Sequence, residues 1–425
     1  MKVEFPYQWT EGVEIPDSNL MGIFEPRPIT AQDPVDEDGI MRAAFADPIG
    51  IPPLEDLVDP KMEIVIVADD NTRVTPLRKI MPLVLRRLLD GGASRDRIRI
   101  VVGLGTHRPM TRAEMVQKFG REILKQYQVI NHNCHNLQDL VNLGHTENGT
   151  KILVNRYVFE ADLLIGLGHI VPHGVSGFSG GGKIVQPGVC GMATTGQTHW
   201  LSAQYPGTEI IGIRDNPVRV EIDAVARKVG LDLIVNSIQN PDGRIVALVV
   251  GDMEQAHRRG CEIATEVFGV RIPEPADIVL TDSRPAEMDL WQAAKGFYSA
   301  EPVVKEGGVV ILMAPCSEGI APSHPEVFEN GYLSLAEASE RVEKGQIKNL
   351  VAAAHLVHVG RLVREKAQGI LVSPGVDREE AEKMGLLYAE TVEDALKQAF
   401  RILGSDARVA VLRKGGEILP MVRTA

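Results

Sequence analysis

"EIVIVADDNTRVTPLRKIMPLVLRRLLDGG", residues 63–92, changes periodicity halfway along. The run Ile64–Ala68 is apolar throughout and rich in β-branched residues, which reads as a buried strand. From Thr75 the apolar residues recur at helical spacing until Gly91 and Gly92 stop them. Between the two lies a polar turn, "DDNTRVTP" (69–76), at the strand's carboxyl end.

The same alternation continues outward. "RIRIVVGLG" (97–105), "ADLLIGLG" (161–168), "LDLIVNSIQ" (231–239) and "RIVALVV" (244–250) read as strands. "TRAEMVQKFGREILKQY" (111–127), "NPVRVEIDAVARKVG" (216–230) and "MEQAHRRGCEIATEVFG" (253–269) read as helices, with Thr111 and Asn216 as N-caps. "VRIPEPAD" (270–277) reads as a linker, after which "DIVLTDS", "VVILMAPCSEG", "GILVSPG" and "ARVAVLR" begin a second series. This pattern predicts an α/β protein of two α/β domains with mostly parallel sheets. The expected units are 1–271 and 277–405, with a tail at 407–425 packing back on the first. "EPRPITAQDPVDEDG" (25–39) is too rich in Pro and Asp for regular structure.

At 425 residues, 44% apolar and 24% charged, the chain can bury a sizeable core. A net charge of −12 argues against nucleic-acid binding, which wants a basic face. Cys134, Cys190, Cys261 and Cys316 form no CxxC pair, so buried thiols in a reducing cytoplasm are expected. The opening residues lack the pattern of a signal peptide, and no apolar run reaches the ~18 residues of a membrane span.

Chemistry concentrates at predicted strand ends. "IRIVVGLGTHR" and "ADLLIGLGHIVPH" both read strand, Gly-Leu-Gly, histidine, and ligands of open α/β sheets bind outside the strands' carboxyl ends. "DDNTRVTP" shares that rim. Capping by Thr72 or Thr75, with Pro76 at the first helical position, explains part of it but neither Arg73 nor the paired acids. "GFSGGGK" (177–183) matches a phosphate loop, yet Ile184 follows the lysine where a Mg²⁺-binding hydroxyl is needed, so nucleotide hydrolysis is disfavoured. Consecutive glycines can still offer amides to one phosphate, leaving Lys183 for another role. His107, His169, His173 and His199 cluster around these rims. "NHNCH" (131–135) reads as a surface loop, and His324, His355 and His358 carry no motif.

"DDNTRVTP", "GLGTHR", "HIVPHGVSGFSGGGKIVQPG", "TTGQTHW" and "WQAAKGF" occur in this order across nearly the whole chain. Together they resemble the nickel-pincer-nucleotide-dependent 2-hydroxyacid racemases. The resemblance implies a pyridinium-3-thioamide-5-thiocarboxylic acid mononucleotide attached to Lys183 and carrying Ni(II), with His199 as the protein's ligand to the metal. His107 and His173 would be the acid–base pair, although spacing alone leaves His169 and His173 equal. Arg73, Trp291, Gln292 and Lys295 are expected on the substrate; Asp70, Thr72, Thr75, Gly180, Gly181 and Gly182 on the cofactor. The implied activity is racemisation or epimerisation of a 2-hydroxy acid by proton-coupled hydride transfer through a 2-keto acid, in a cleft between the domains. Implied partners are that small acid and the proteins that synthesise the cofactor, with no membrane and no nucleic acid. A nucleotide-binding scaffold of the same fold, without turnover, is the alternative from another class.

Overall fold

A computed structural model describes residues 1–26 and 35–422. Its first sheet has six strands, in the spatial order Ile245–Asp252, Leu233–Gln239, Leu163–His169, Ile64–Asp69, Ile98–Gly103, Gln128–Asn131. Five run parallel, and only the edge strand Ile245–Asp252 is antiparallel to its neighbour. Alternate residues of Ile64–Ala68 feed two cores: Ile64, Ile66 and Ala68 pack on one face, Val65 and Val67 on the other. Burial of both faces explains the uninterrupted apolar run.

Chain order along this sheet reverses between Ile64–Asp69 and Leu163–His169. At such a switch point the two outgoing connections leave on opposite faces, and a crevice opens at the strands' carboxyl ends. Asp69, Asp70 and His169 stand there.

The second sheet is all parallel, ordered Leu387–Tyr388, Gln368–Val372, Val304–Met313, Ala276–Asp282, Val409–Leu412, Leu20–Phe24. This corrects the expected boundaries. Residues 1–24 belong to the second unit, where Leu20–Phe24 forms an edge strand and Val3, Phe5, Val13 and Ile15 join the core beneath. The C-terminal tail divides. Val409–Leu412 completes the second sheet, whereas Leu419–Val422 pairs with Gly269–Ile272, which overlaps the start of the stretch 270–277 read as a linker. An edge strand needs only an open ladder and an apolar face, and both chain ends reach one.

Local readings are mixed. Helix Leu77–Asp90 ends at Gly91 as expected, but Pro76 occupies its N-cap and no side chain caps it. Gly120, at φ 89°, breaks the predicted helix of 111–127 into Arg112–Phe119 and Arg121–Gln126. Asp36 caps a helix Glu37–Ala46 that begins inside the segment 25–39 read as irregular; residues 27–34 of that segment lie outside the described ones. All four cysteines are free and buried. Among the described residues no helix is long and apolar enough to cross a membrane.

Candidate functional site

One cavity at the switch point is closed over by the second unit. It is lined from the first unit by Asp70, Arg73, His107, His173, Gly180, Lys183 and His199, and from the second by Trp291, Gln292 and Lys295. Residues more than 200 positions apart thus meet in one cleft.

Adjacent acids at the end of Ile64–Asp69 each hold a different histidine. Asp70 Oδ2 lies 2.7 Å from His107 Nδ1. Burial would raise this carboxyl, but His107, Arg73 and the Thr72 hydroxyl hold it well below the usual carboxylate range. The ionised acid fixes the proton on His107 Nδ1 and leaves Nε2 as an acceptor, 3.4 Å from the Gln292 amide nitrogen. Lys295 Nζ donates to Gln292 Oε1 at 2.9 Å, so Asp70, His107, Gln292 and Lys295 form a chain across the cleft. Asp69 accepts from Thr75, whose hydroxyl lies 3.0 Å from His169 Nδ1, and Lys118 Nζ stands 3.1 Å from the other carboxylate oxygen.

His173 is held differently. Its Nδ1 accepts the Val175 amide at 3.1 Å, which places the proton of the neutral ring on Nε2. Burial, then Lys183, Arg73 and Lys295, depress its protonation far below the ordinary imidazole range. His199 projects from helix Met192–Ala203 and donates Nδ1–H to the Thr195 carbonyl at 2.9 Å, leaving the Nε2 lone pair free. Burial and Lys183 bring its pKa to about 4. Lys183 itself is driven well below 10.5 by burial, Arg73 and Arg219, so its amine favours the uncharged, nucleophilic form. Lys295 falls to about 7 through burial and Arg73, opposed chiefly by Glu417.

The glycine loop is built by packing. Gly180 and Gly181 take φ of 71° and 60°. A Cβ on Gly181 would lie 2.7 Å from the His257 ring, and one on Gly182 would lie 2.6 Å from Asp223 Oδ1. The Gly181 amide donates to Asn236 Oδ1 at 2.8 Å. Arg219 donates to the carbonyls of Phe178 and Gly180, and His257 to that of Ser179.

Of the residues expected at the site, Asp70, Arg73, His107, His173, Gly180, Lys183, His199, Trp291, Gln292 and Lys295 line the cavity. Thr72, Thr75, Gly181 and Gly182 stand behind it: the hydroxyls secure Asp70 and Asp69, and the two glycines back onto flanking helices. The "NHNCH" stretch is not a surface loop at His132, which is 2% exposed and donates to the Cys190 carbonyl from Nε2 at 2.9 Å. His355 and His358 line the cavity from the buried helix Leu350–Gly360, and His324 stacks on Trp291. The i, i+3 spacing of His355 and His358 within an otherwise apolar helix is the one signal the sequence offered.

Two family models match the chain: the lactate racemase N-terminal domain over residues 8–210 and the lactate racemase C-terminal domain over 272–419. The chain is 30% identical to the lactate racemase of Lactiplantibacillus plantarum, with 97% of this chain and 98% of that protein covered. It is 29% identical to that of Thermoanaerobacterium thermosaccharolyticum, over 98% of each. The solved lactate racemase apoprotein from the latter organism superposes with a TM-score of 0.88 at 28% identity over the whole of both chains. A Thermotoga maritima protein shares the fold at TM-score 0.74 and 24% identity, over 92% of this chain and 99% of that one. The chain belongs to the lactate racemase family and is an isomerase of the racemase class.

Proposed function

We propose that the chain racemises or epimerises lactate or a related short-chain 2-hydroxy acid, using a nickel-pincer nucleotide carried on Lys183. The observation that supports this best is the convergence of His107, His173, Lys183, His199, Gln292 and Lys295 on one cavity.

The residues present fit that group. Burial, Arg73 and Arg219 push the Lys183 amine toward the uncharged form, which is the form that bonds covalently. Among the described residues no cluster of three or more His, Cys, Asp or Glu could hold a metal ion. A single imidazole, His199 with a free Nε2, suits a metal that arrives with donors of its own. When bound, the nickel nucleotide supplies the acceptor to which the α-carbon loses hydride and from which the 2-keto acid regains it. Arg73, Gln292 and Lys295 would hold the substrate carboxylate while the hydroxyl meets one imidazole or the other. His107, fixed by Asp70 and with its Nε2 lone pair facing the Gln292 amide at 3.4 Å, would take the proton once the substrate hydroxyl replaces that contact. His173 must exchange its Nε2–H for a lone pair before it can do the same, because the Val175 amide occupies Nδ1. Closure of the second unit over the site excludes water from the transfer.

The proteins that synthesise the cofactor are the implied partners, and four free, buried thiols favour the cytoplasm. The test is the intact mass and nickel content of the chain produced with and without those proteins. A mass adduct and nickel are expected only with them, and both adduct and racemisation vanish in Lys183→Ala. Adduct retained in that variant, or racemisation by the unloaded chain, overturns the reading.

A further inference from the structure

Helix Arg112–Phe119 adds no residue to the cavity lining, yet it grips the turn that carries Arg73 at two points. Glu114 and Lys118 lie one helical turn apart and share a face. Asn71 Nδ2 donates to Glu114 Oε1 at 3.1 Å. Lys118 Nζ donates to the Arg73 carbonyl at 2.6 Å and stands 3.1 Å from Asp69 Oδ1. Glu114 is itself fixed, by the Arg108 guanidinium at 2.8 and 3.0 Å and by the capping box with Thr111.

Packing alone does not call for a lysine here. Its side chain is 8% exposed and that of Asp69 11%. Burying such a pair strips water from both ions, and apolar residues of similar volume are often as stable. Asp69 Oδ1 accepts no well-aligned hydrogen bond among the described residues, so the Lys118 ammonium is what compensates it. Burial would raise the Asp69 carboxyl; Lys118, then His169, hold it below its usual range. What the pair secures is geometry. The Arg73 amide is tied back to the Asp70 carbonyl at 3.2 Å, the Arg73 carbonyl to Lys118, and the next residue, Val74, is exposed. Lys118 therefore anchors the Arg73 backbone on its carboxyl side. At the other end of the residue, Arg73 Nη1 donates to Thr72 Oγ1 at 2.9 Å, and that hydroxyl donates to Asp70 Oδ1 at 2.6 Å.

We propose that Lys118 is a positioning residue for the reaction: by clamping the Arg73 carbonyl against Asp69 it aims the Arg73 guanidinium at the substrate carboxylate. This rests on the function proposed above, in which Arg73 holds that carboxylate. Lys118 touches neither substrate nor cofactor. The contact of Asp70 with His107 does not pass through it, so the proton-handling groups keep their geometry when the clamp is lost.

The test follows racemisation of lactate and of 2-hydroxybutyrate by the cofactor-loaded enzyme, and binding of each acid to the cofactor-free chain by titration calorimetry. Lys118→Met is expected to raise KM and weaken binding by about 10-fold or more, with kcat within about threefold and adduct mass and nickel content unchanged. In an Arg73→Ala background the same change should add less than about threefold, because its effect runs through that guanidinium. Additive losses, or an unchanged KM in Lys118→Met, overturn the proposal. Since Lys118→Met leaves Asp69 uncompensated, the pair Lys118→Met with Asp69→Asn is made as well, neutral at both positions. It should keep the raised KM, and it carries the test if the single variant does not fold. Return of this pair to the wild-type KM would mean that Lys118 only balances a buried charge, and the positioning role falls. A wild-type chain that holds adduct and nickel but turns over neither acid overturns the function proposed above, and this inference with it.

Discussion

The two aspartates after Ala68 are neighbours in sequence and serve different imidazoles: Asp70 holds His107, and Asp69 with Thr75 holds His169. Asp70→Asn removes the charge that fixes the His107 tautomer. It should lower kcat by about 10²-fold or more with a smaller change in KM, measured beside a circular dichroism spectrum that shows an intact fold. His107→Ala and His173→Ala should each stop full racemisation. Mixed with single enantiomers, each variant should still transfer hydride from one of them, and the two variants should prefer opposite hands. Loss of transfer with both enantiomers in both variants would point to His169 as the second base. Lys295 titrates near 7, beside Arg73, Glu417, Asp289 and Asp70. Its ammonium is present below that pH and lost above it, so KM for the acid should rise as pH climbs past about 7. Lys295→Arg should flatten this limb, because a guanidinium stays charged. Glu417→Gln should shift the limb to lower pH by removing the largest influence that favours the ammonium.

At the scale of elements, the glycine loop illustrates how a motif is legible while its physical cause is not. Gly180–Lys183 stood out in the sequence as a motif, yet the glycines answer chiefly to Asn236, His257 and Asp223, contributed by a strand and two helices further along the chain. Gly181→Ala meets a positive φ and a side chain 2.7 Å from the new Cβ, whereas Gly149→Ala at φ 88° meets open space. Calorimetric melting should show a loss of about 2 kcal/mol or more for the first and about 1 kcal/mol for the second. The threonines of "DDNTRVTP" misled for a related reason. A hydroxyl near a helix start is a good capping group, but two buried carboxylates at the strand end claimed these first.

For the whole molecule, the decisive feature is how the units dock. Helix Met192–Ala203, which bears His199, packs against Leu350–Gly360, and Arg361 donates to the carbonyls of Ala203 and Tyr205 at 2.7 and 2.5 Å. These carbonyls belong to the helix's open carboxyl end, where a cation is favoured. Arg361→Ala should cost about 1–3 kcal/mol in unfolding and lower kcat/KM, with limited proteolysis showing faster cleavage between the units. An unchanged protease pattern would mean that the two helices hold the cleft shut without this contact.

Periodicity settled what depends on near neighbours: apolar runs became strands, 3.6-residue patterns became helices, and strand-helix alternation required parallel sheets covered on both faces. Motif order also sufficed to bring the main catalytic candidates to one rim, since strand ends of a parallel sheet share an edge. Only tertiary structure could decide which histidine each aspartate holds, because Asp69 and Asp70 look alike in the chain and differ in the face they turn to. Burial of His132 and the recruitment of His324 were likewise invisible, and that of His355 and His358 was signalled by their i, i+3 spacing alone, since the groups that pair with or stack on them lie far away in sequence. So was the opening strand Leu20–Phe24, which joins the sheet of the second unit because Val409–Leu412 left an open ladder there. Local pattern fixes which face of an element is apolar; which partner covers that face is set by contacts hundreds of residues apart.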